Sequence, residues 1–201
     1  MEKQQLTPCG VFVILFSILL GCSFQKSSVK DAETSRIDSL LSFYKDSLAV
    51  RPLAVISKLR TDQENVSDSI NYYNLDQTIS RCYYFSNRVD SAFLLNDRIL
   101  HFVEKQPEKA DRLLKLSADA YNSRGVFFQD MSQWDSAIFC LHNASEALSQ
   151  ANDFGRLPAI NVYINMADCY QHQGDYGWAG YHYRKALFLS DSLGVGDKMN
   201  Y

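Results

Sequence analysis

A chain of 201 residues that is 46% apolar and 21% charged has the composition of a folded globular protein, not a disordered one. Its 20 basic and 23 acidic residues give a net charge of -3 with no Lys/Arg cluster. That balance excludes nucleic acid as a main partner, because phosphate neutralisation needs a concentrated basic surface. Only four prolines and nine glycines punctuate the chain, which leaves room for long helices.

The amino terminus differs from the rest. Lys3 precedes an apolar run from Val11 to Leu20, which closes on Leu19-Leu20-Gly21-Cys22. A charged start, a short apolar centre and small residues at the end make a secretory signal. Ten residues at a rise of ~1.5 Å span about 15 Å, half of a bilayer's hydrocarbon, so a permanent spanning helix is disfavoured. The last four residues resemble the lipobox of bacterial lipoproteins, with Leu20 standing where a smaller residue is usual. That resemblance implies cleavage after residue 21, a diacylglycerol thioether on Cys22, and a flexible spacer over 22–30. An ordinary cleaved signal and a short uncleaved anchor are the alternatives.

Residues 31–201 read as helical hairpins. The first, over 31–62, pairs Ile37–Leu48 with Pro52–Leu59, Pro52 standing at a helix start where its missing N–H costs nothing. The second, over 67–105, pairs Leu75–Asn87 with Val89–Glu104. The third and fourth, over 108–151 and 155–193, contain two copies of one pattern offset by 42 positions. Gly125, Phe128, Ala137, Leu141 and Ala144 fall on Ala167, Tyr170, Ala179, Tyr183 and Ala186. Small residues recur where two helices must touch, and large ones where a gap must be filled. Asp90-Ser91 and Asp135-Ser136 stand near the starts of second helices, where they are expected to cap.

These positions resemble the tetratricopeptide repeat, with the small and aromatic residues of its first helix at Ala167 and Tyr170 and its second-helix triad at Ala179, Tyr183 and Ala186. The usual period is about 34 residues; elongated helices and loops such as 151–154 would absorb the excess. The resemblance implies an all-α, right-handed superhelical solenoid of antiparallel hairpins. It also implies a concave face, formed by first helices, that binds a protein or peptide. That face would carry Asp119, Asn122, Val126, Gln129, Asn161, Ile164, Asp168 and Gln171. It departs from the Lys/Asn/Arg clamp that some members use for terminal carboxylates.

The helix expected over Tyr176–Ser192 has apolar residues, among them Tyr183, Leu187 and Leu189, that a following hairpin would normally cover. After Gly194 and Gly196 only Asp197–Tyr201 remain. Two readings follow: the array continues in a longer protein, or this hairpin self-associates or meets a partner.

No catalytic signature is present. His101, His142, His172 and His182 form neither an HExxH pattern nor an i, i+4 pair, and no P-loop or GxGxxG occurs. His172 and His182 are expected to be solvated. Cys82, Cys140 and Cys169 sit singly in apolar stretches without metal-ligand spacing, so buried thiols are expected; a Cys140–Cys169 disulfide is the alternative. No metal or cofactor is expected. Asp-Ser-apolar triplets beginning at Asp38, Asp46, Asp68, Asp90, Asp135 and Asp191 resemble the acceptor of Bacteroidetes O-glycosylation, although helix-start chemistry accounts for several equally well.

The expected function is that of a non-catalytic scaffold, lipid-tethered in a bacterial cell envelope on the periplasmic or outer-membrane side. The alternative is the sensory front of a signalling protein, a histidine kinase or DNA-binding regulator, that continues past residue 201.

Overall fold

Three turns of one design shape the protein. Asn87, Ser132 and Gly174 adopt left-handed backbone, φ 58°, 57° and 79°. At each, the following N–H reaches back five residues: Arg88 to the Tyr83 carbonyl (2.9 Å), Gln133 to Phe128 (2.8 Å) and Asp175 to Tyr170 (2.9 Å). This closure satisfies helix-end carbonyls and reverses the chain. Gly174 takes the left-handed conformation freely, whereas Asn87 and Ser132 carry a Cβ against it.

The computed structural model describes residues 31–151 and 156–194. The leader over 1–21, Cys22, the spacer, the loop over 152–155 and residues 195–201 lie outside them. Residues 31–44 are helical (α1), and the chain divides after Phe43 into two compact units. The expected first hairpin, 31–62, straddles that division. In the second unit a 3-10 turn, Lys45–Ser47, precedes α2 (Pro52–Gln63), α3 (Ser69–Phe85), α4 (Val89–Glu104), α5 (Asp111–Asp130), α6 (Trp134–Gln150), α7 (Arg156–His172) and α8 (Tyr176–Ser192). The described residues are all-α, and no described helix is long and apolar enough to cross a membrane.

Two helices are longer than their sequence reading. α2 runs to Gln63, and α3 begins six residues early because the buried Asp68 carboxylate accepts from the N–H groups of Ile70 (2.9 Å) and Asn71 (3.1 Å). Asp90 and Asp135 do not cap. The N-cap residues of α4 and α6 are Arg88 and Gln133, neither of which makes a side-chain cap bond, and the two acids lie in the first turn. There they still suit the helix dipole; Asp135 also accepts a 2.7 Å hydrogen bond from Gln173 on the turn after α7.

Within the second unit consecutive helices run antiparallel. On α3 and α4, the Ser80 hydroxyl donates to the Ala92 carbonyl (2.8 Å), and a helix length away Tyr73 stacks on Phe102 at 4.1 Å. On α5 and α6, an ideal Cβ at Gly125 would stand 2.7 Å from Leu141 Cγ and 3.4 Å from the Ala137 carbonyl oxygen. Only glycine allows that approach while Leu141 fills the space. Gly125, Ala137, Leu141, Ala144, Ala167, Ala179 and Ala186 are all buried, and a continuous apolar core links α5, α6 and α7 through Ala118, Leu141, Ala144, Val162 and Met166. A second cluster, with Ile99, Val103, Leu113 and Leu116, joins α4 to α5. Phe128 packs half-buried against the first core.

Tyr183 stands in register with Leu141 but behaves differently. It is 37% exposed, and its hydroxyl donates to Asp168 and to Gln171 (3.1 Å) on α7. A phenol carries a polar tip that seeks a partner, which turns the ring from the core to the helix edge.

The Gly125–Leu141 contact gives a stability test. Gly125→Ala should cost about 1 kcal/mol net, overpacking of about 1–3 kcal/mol offset by roughly 1 kcal/mol of helix propensity. In a Leu141→Ala background, itself about 2–5 kcal/mol less stable, the same change should turn neutral or stabilising. Urea denaturation of the four proteins measures this, and equal effects in both backgrounds would contradict the packing.

Candidate functional site

The odd-numbered helices α3, α5 and α7 lie side by side and run in the same direction. Along α3, Asn71 accepts from Arg112 (2.7 Å), and Gln77 donates to the Asp119 carbonyl (3.0 Å) and the Ser123 hydroxyl (2.6 Å). Further on, Tyr84 donates to Asp130 (2.7 Å) while its ring stacks on Phe127 at 4.0 Å. From α5 to α7, Asn165 donates to Asn122 (3.0 Å), and Gln129 donates to the Asn165 carbonyl (2.9 Å). Asn71–Arg112, Gln77–Asp119 and Asn122–Asn165 are separated by 41, 42 and 43 residues. Polar residues one hairpin apart thus form a seam of interhelix bonds.

The eight residues singled out in the sequence fall on this layer. On α5, Asp119, Asn122, Val126 and Gln129 share one face at helical spacing; on α7, Asn161, Ile164, Asp168 and Gln171 do the same. All except the exposed Asn161 and Gln171 are half-buried. Asn122, Gln129, Asp168 and Gln171 are already engaged within the protein, the last two by Tyr183. Asn122 was expected on the partner-binding face; its bond to Asn165 makes it part of the α5–α7 seam as well. Asp168 holds the Tyr183 phenol up at about 12, chiefly through the hydrogen bond the phenol donates.

Asp119 is the most perturbed carboxylate on the layer. The residue keeps some exposure, yet protein surrounds its carboxyl. Desolvation pushes its pKa up to about 6, against the smaller opposing pull of Lys115 and Arg81. Beside it, Gln77 is buried and its Oε1 has no protein partner, although its amide nitrogen makes two bonds. The two lie in the same seam between α3 and α5, joined through the Asp119 backbone carbonyl.

Sequence reasoning missed two features. His182, expected to be solvated, is buried at 6% exposure and lies parallel to Tyr170 with ring centroids 5.4 Å apart, among Tyr163, Trp178 and Tyr181. Burial, then Lys185 and His142, holds its pKa below the ordinary histidine value. The signal was available: His182 is in register with the buried Cys140, 42 residues earlier. His172 is exposed, as expected, and also stacks on Trp134 at 4.5 Å. The second missed feature is Asp76, fully buried and held by Arg60 (3.1 Å), Gln63 (2.8 Å) and Arg98, which ties α2, α3 and α4 together. Nothing in its local sequence marks it.

Cys82, Cys140 and Cys169 are buried free thiols; desolvation raises the pKa of all three, to about 11 for Cys82 and Cys169. Their thiolate form is correspondingly suppressed at neutral pH.

Asp119 carries a pH-dependent stability whose sign follows from its raised pKa. The folded state holds its proton more tightly than the unfolded chain, so wild-type stability is complete below about pH 4 and declines as pH rises through 6. Asp119→Asn should therefore stabilise at pH 7, by about 1–2 kcal/mol after allowance for residual solvent contact, and the gain should vanish near pH 4. Thermal unfolding at the two pH values measures it; a pH-independent difference would contradict the desolvated carboxyl.

Neither a protein-family model nor a curated protein matches this chain, so its functional reading rests on its own residues.

Proposed function

We propose that this protein is a non-catalytic helical-repeat scaffold of the tetratricopeptide kind, tethered to a bacterial envelope membrane, which holds a protein or peptide partner on the layer formed by α3, α5 and α7. The single observation that carries the reading is the seam. Polar contacts between same-direction helices are separated by 36 to 46 residues, three of them by 41 to 43, around the 42-residue sequence offset. A stack of such hairpins gives an extended surface of first helices and buries little that could serve as an active site.

The layer supports recognition more than chemistry. The eight residues singled out on it are amides, carboxylates and the half-buried aliphatic side chains Val126 and Ile164, with no nucleophile beside a base among them. Asn161 and Gln171 offer donors and acceptors to a peptide backbone. The tether is the part of the reading that rests on the leader and Cys22. Three acyl chains at about 0.8 kcal/mol per buried CH₂ would hold such a protein far more firmly than the single chain that binds only marginally.

Photocrosslinking tests the reading in cells. A benzophenone amino acid at Val126 or Asn161 is expected to capture a discrete protein partner, whereas one at Phe139, on the opposite side of the hairpins, is not. Equal labelling at all three positions, or none at Val126 and Asn161, would contradict the assignment of the binding layer. The intact mass of the membrane-extracted chain, expected to show acylation at Cys22, checks the tether separately.

A further inference from the structure

The even-numbered helices present an outward face that neither the core nor the binding layer uses. Leu94 on α4, Phe139 on α6 and Tyr181 on α8 occupy equivalent places in their hairpins and are 69%, 68% and 40% exposed. On α8 the stripe widens: Trp178, one turn before Tyr181, is 52% exposed and Phe188, two turns after it, 74%. Positions 178, 181, 185 and 188 share one helical face.

This is not a surface awaiting the next hairpin. The side of α4 that meets α5 carries Phe93, against Phe127 and Phe128, and Asp97, paired with Arg124. The side of α6 that meets α7 carries Trp134 and Asp135, on His172 and Gln173. Leu94 and Phe139 remain exposed although a further hairpin follows each. By the same register the side of α8 available to another helix is Tyr176, Gly177, Gly180 and Arg184, leaving Trp178 and Tyr181 outward and Phe188 at the boundary.

Charge and composition select the occupant. α6 carries Asp135 and Glu146 without a Lys or Arg, and α4 carries Asp90, Asp97 and Glu104 against Arg98 alone. On α8 the balance reverses, Arg184 and Lys185 against Asp191. The Lys185 ammonium lies 4.9 Å over the Tyr181 ring and 5.2 Å over Tyr163. Exposed Trp, Tyr and Phe with Lys and Arg at their margin are what a bilayer's headgroup layer receives: amphipathic rings at the interface, cations toward anionic lipid.

We propose that the outward face of α8, with Trp178, Tyr181 and, at its edge, Phe188 as its apolar contact and Lys185, with Arg184 at the same edge, as its cations, rests on the headgroup layer of an anionic membrane. This deepens the tethered-scaffold reading and rests on it. Lipid on this side leaves the layer of α3, α5 and α7 free for its partner.

Trp178 is its own probe. The chain has two tryptophans, and Trp134→Phe keeps an aromatic ring on His172 while leaving Trp178 as the sole emitter. The full chain, purified with its leader processed, is mixed with phosphatidylglycerol-containing vesicles, with neutral phosphatidylcholine vesicles, and with buffer. Flotation reports the tether. With anionic vesicles, Trp178 emission is expected to shift to the blue, to be quenched by brominated acyl chains and to lose its quenching by iodide. A chain that floats while Trp178 stays open to iodide overturns the proposal and spares the tether. Shielding from both quenchers means a protein contact, such as a second copy, and also overturns it. A chain that does not float overturns the tether; Trp178 unchanged at excess anionic lipid would then overturn the face as well. Hydroxyl-radical footprinting of Trp178, Tyr181 and Phe188 in the unsubstituted chain, with protection expected only on anionic vesicles, gives the same decision should Trp134→Phe fail to fold.

Discussion

Helical hairpins of this kind cannot bury both apolar sides of a helix by themselves, so each depends on the close approach of its neighbours. At Gly125 the approach leaves no room for a Cβ, because Leu141 occupies the place. One hairpin later the pair is Ala167 and Tyr183, and the large residue has turned to hydrogen-bond Asp168 and Gln171. The two pairs are complementary solutions to one spacing. A small residue tolerates an inward Leu, or a slightly larger one accompanies an outward Tyr. Burial of the alanines on both sides follows from that spacing and carries the core from α5 through α7.

Polar groups then fix how the hairpins sit against each other. Apolar helices can slide, whereas Gln77 on Asp119 and Ser123, and Asn165 on Asn122, have one register in which their bonds are made. Asp76 does the same at the other end. A carboxylate with no solvent contact is costly unless paired, and two guanidinium groups and an amide from α2 and α4 converge on it. Specificity of stacking thus lies in a few buried polar residues, and affinity between hairpins in the small-residue core. Amides and carboxylates line the layer of first helices, whereas Leu94, Phe139 and Tyr181 stand exposed on the second helices.

Much of this was legible because it is local or periodic. The helix over Val89–Glu104, the last helix over Tyr176–Ser192 and the buried small residues follow from apolar spacing that repeats within the chain. The offset of 42 sets Ser132 in the place of Gly174, but that a serine would take the left-handed backbone there was not legible. Nor was the use of Asn122 and Gln129 within the fold: an amide on a helix face looks the same in sequence whether it meets solvent or the next hairpin. Asp76 was hidden for a different reason, because its partners are 13 to 22 residues away on other helices and only packing brings them together. His182 shows the opposite case, in which reading a residue by type obscured what its register already indicated.

The account turns on energetic coupling between hairpins one repeat apart, and the Gln77–Ser123 contact isolates it. A double-mutant cycle with Gln77→Ala and Ser123→Ala, read by urea denaturation of the full chain, is predicted to show a coupling energy of about 0.5–3 kcal/mol. Strict additivity of the two changes would mean that α3 and α5 do not share this seam, and the stacked-hairpin scaffold would fail with it.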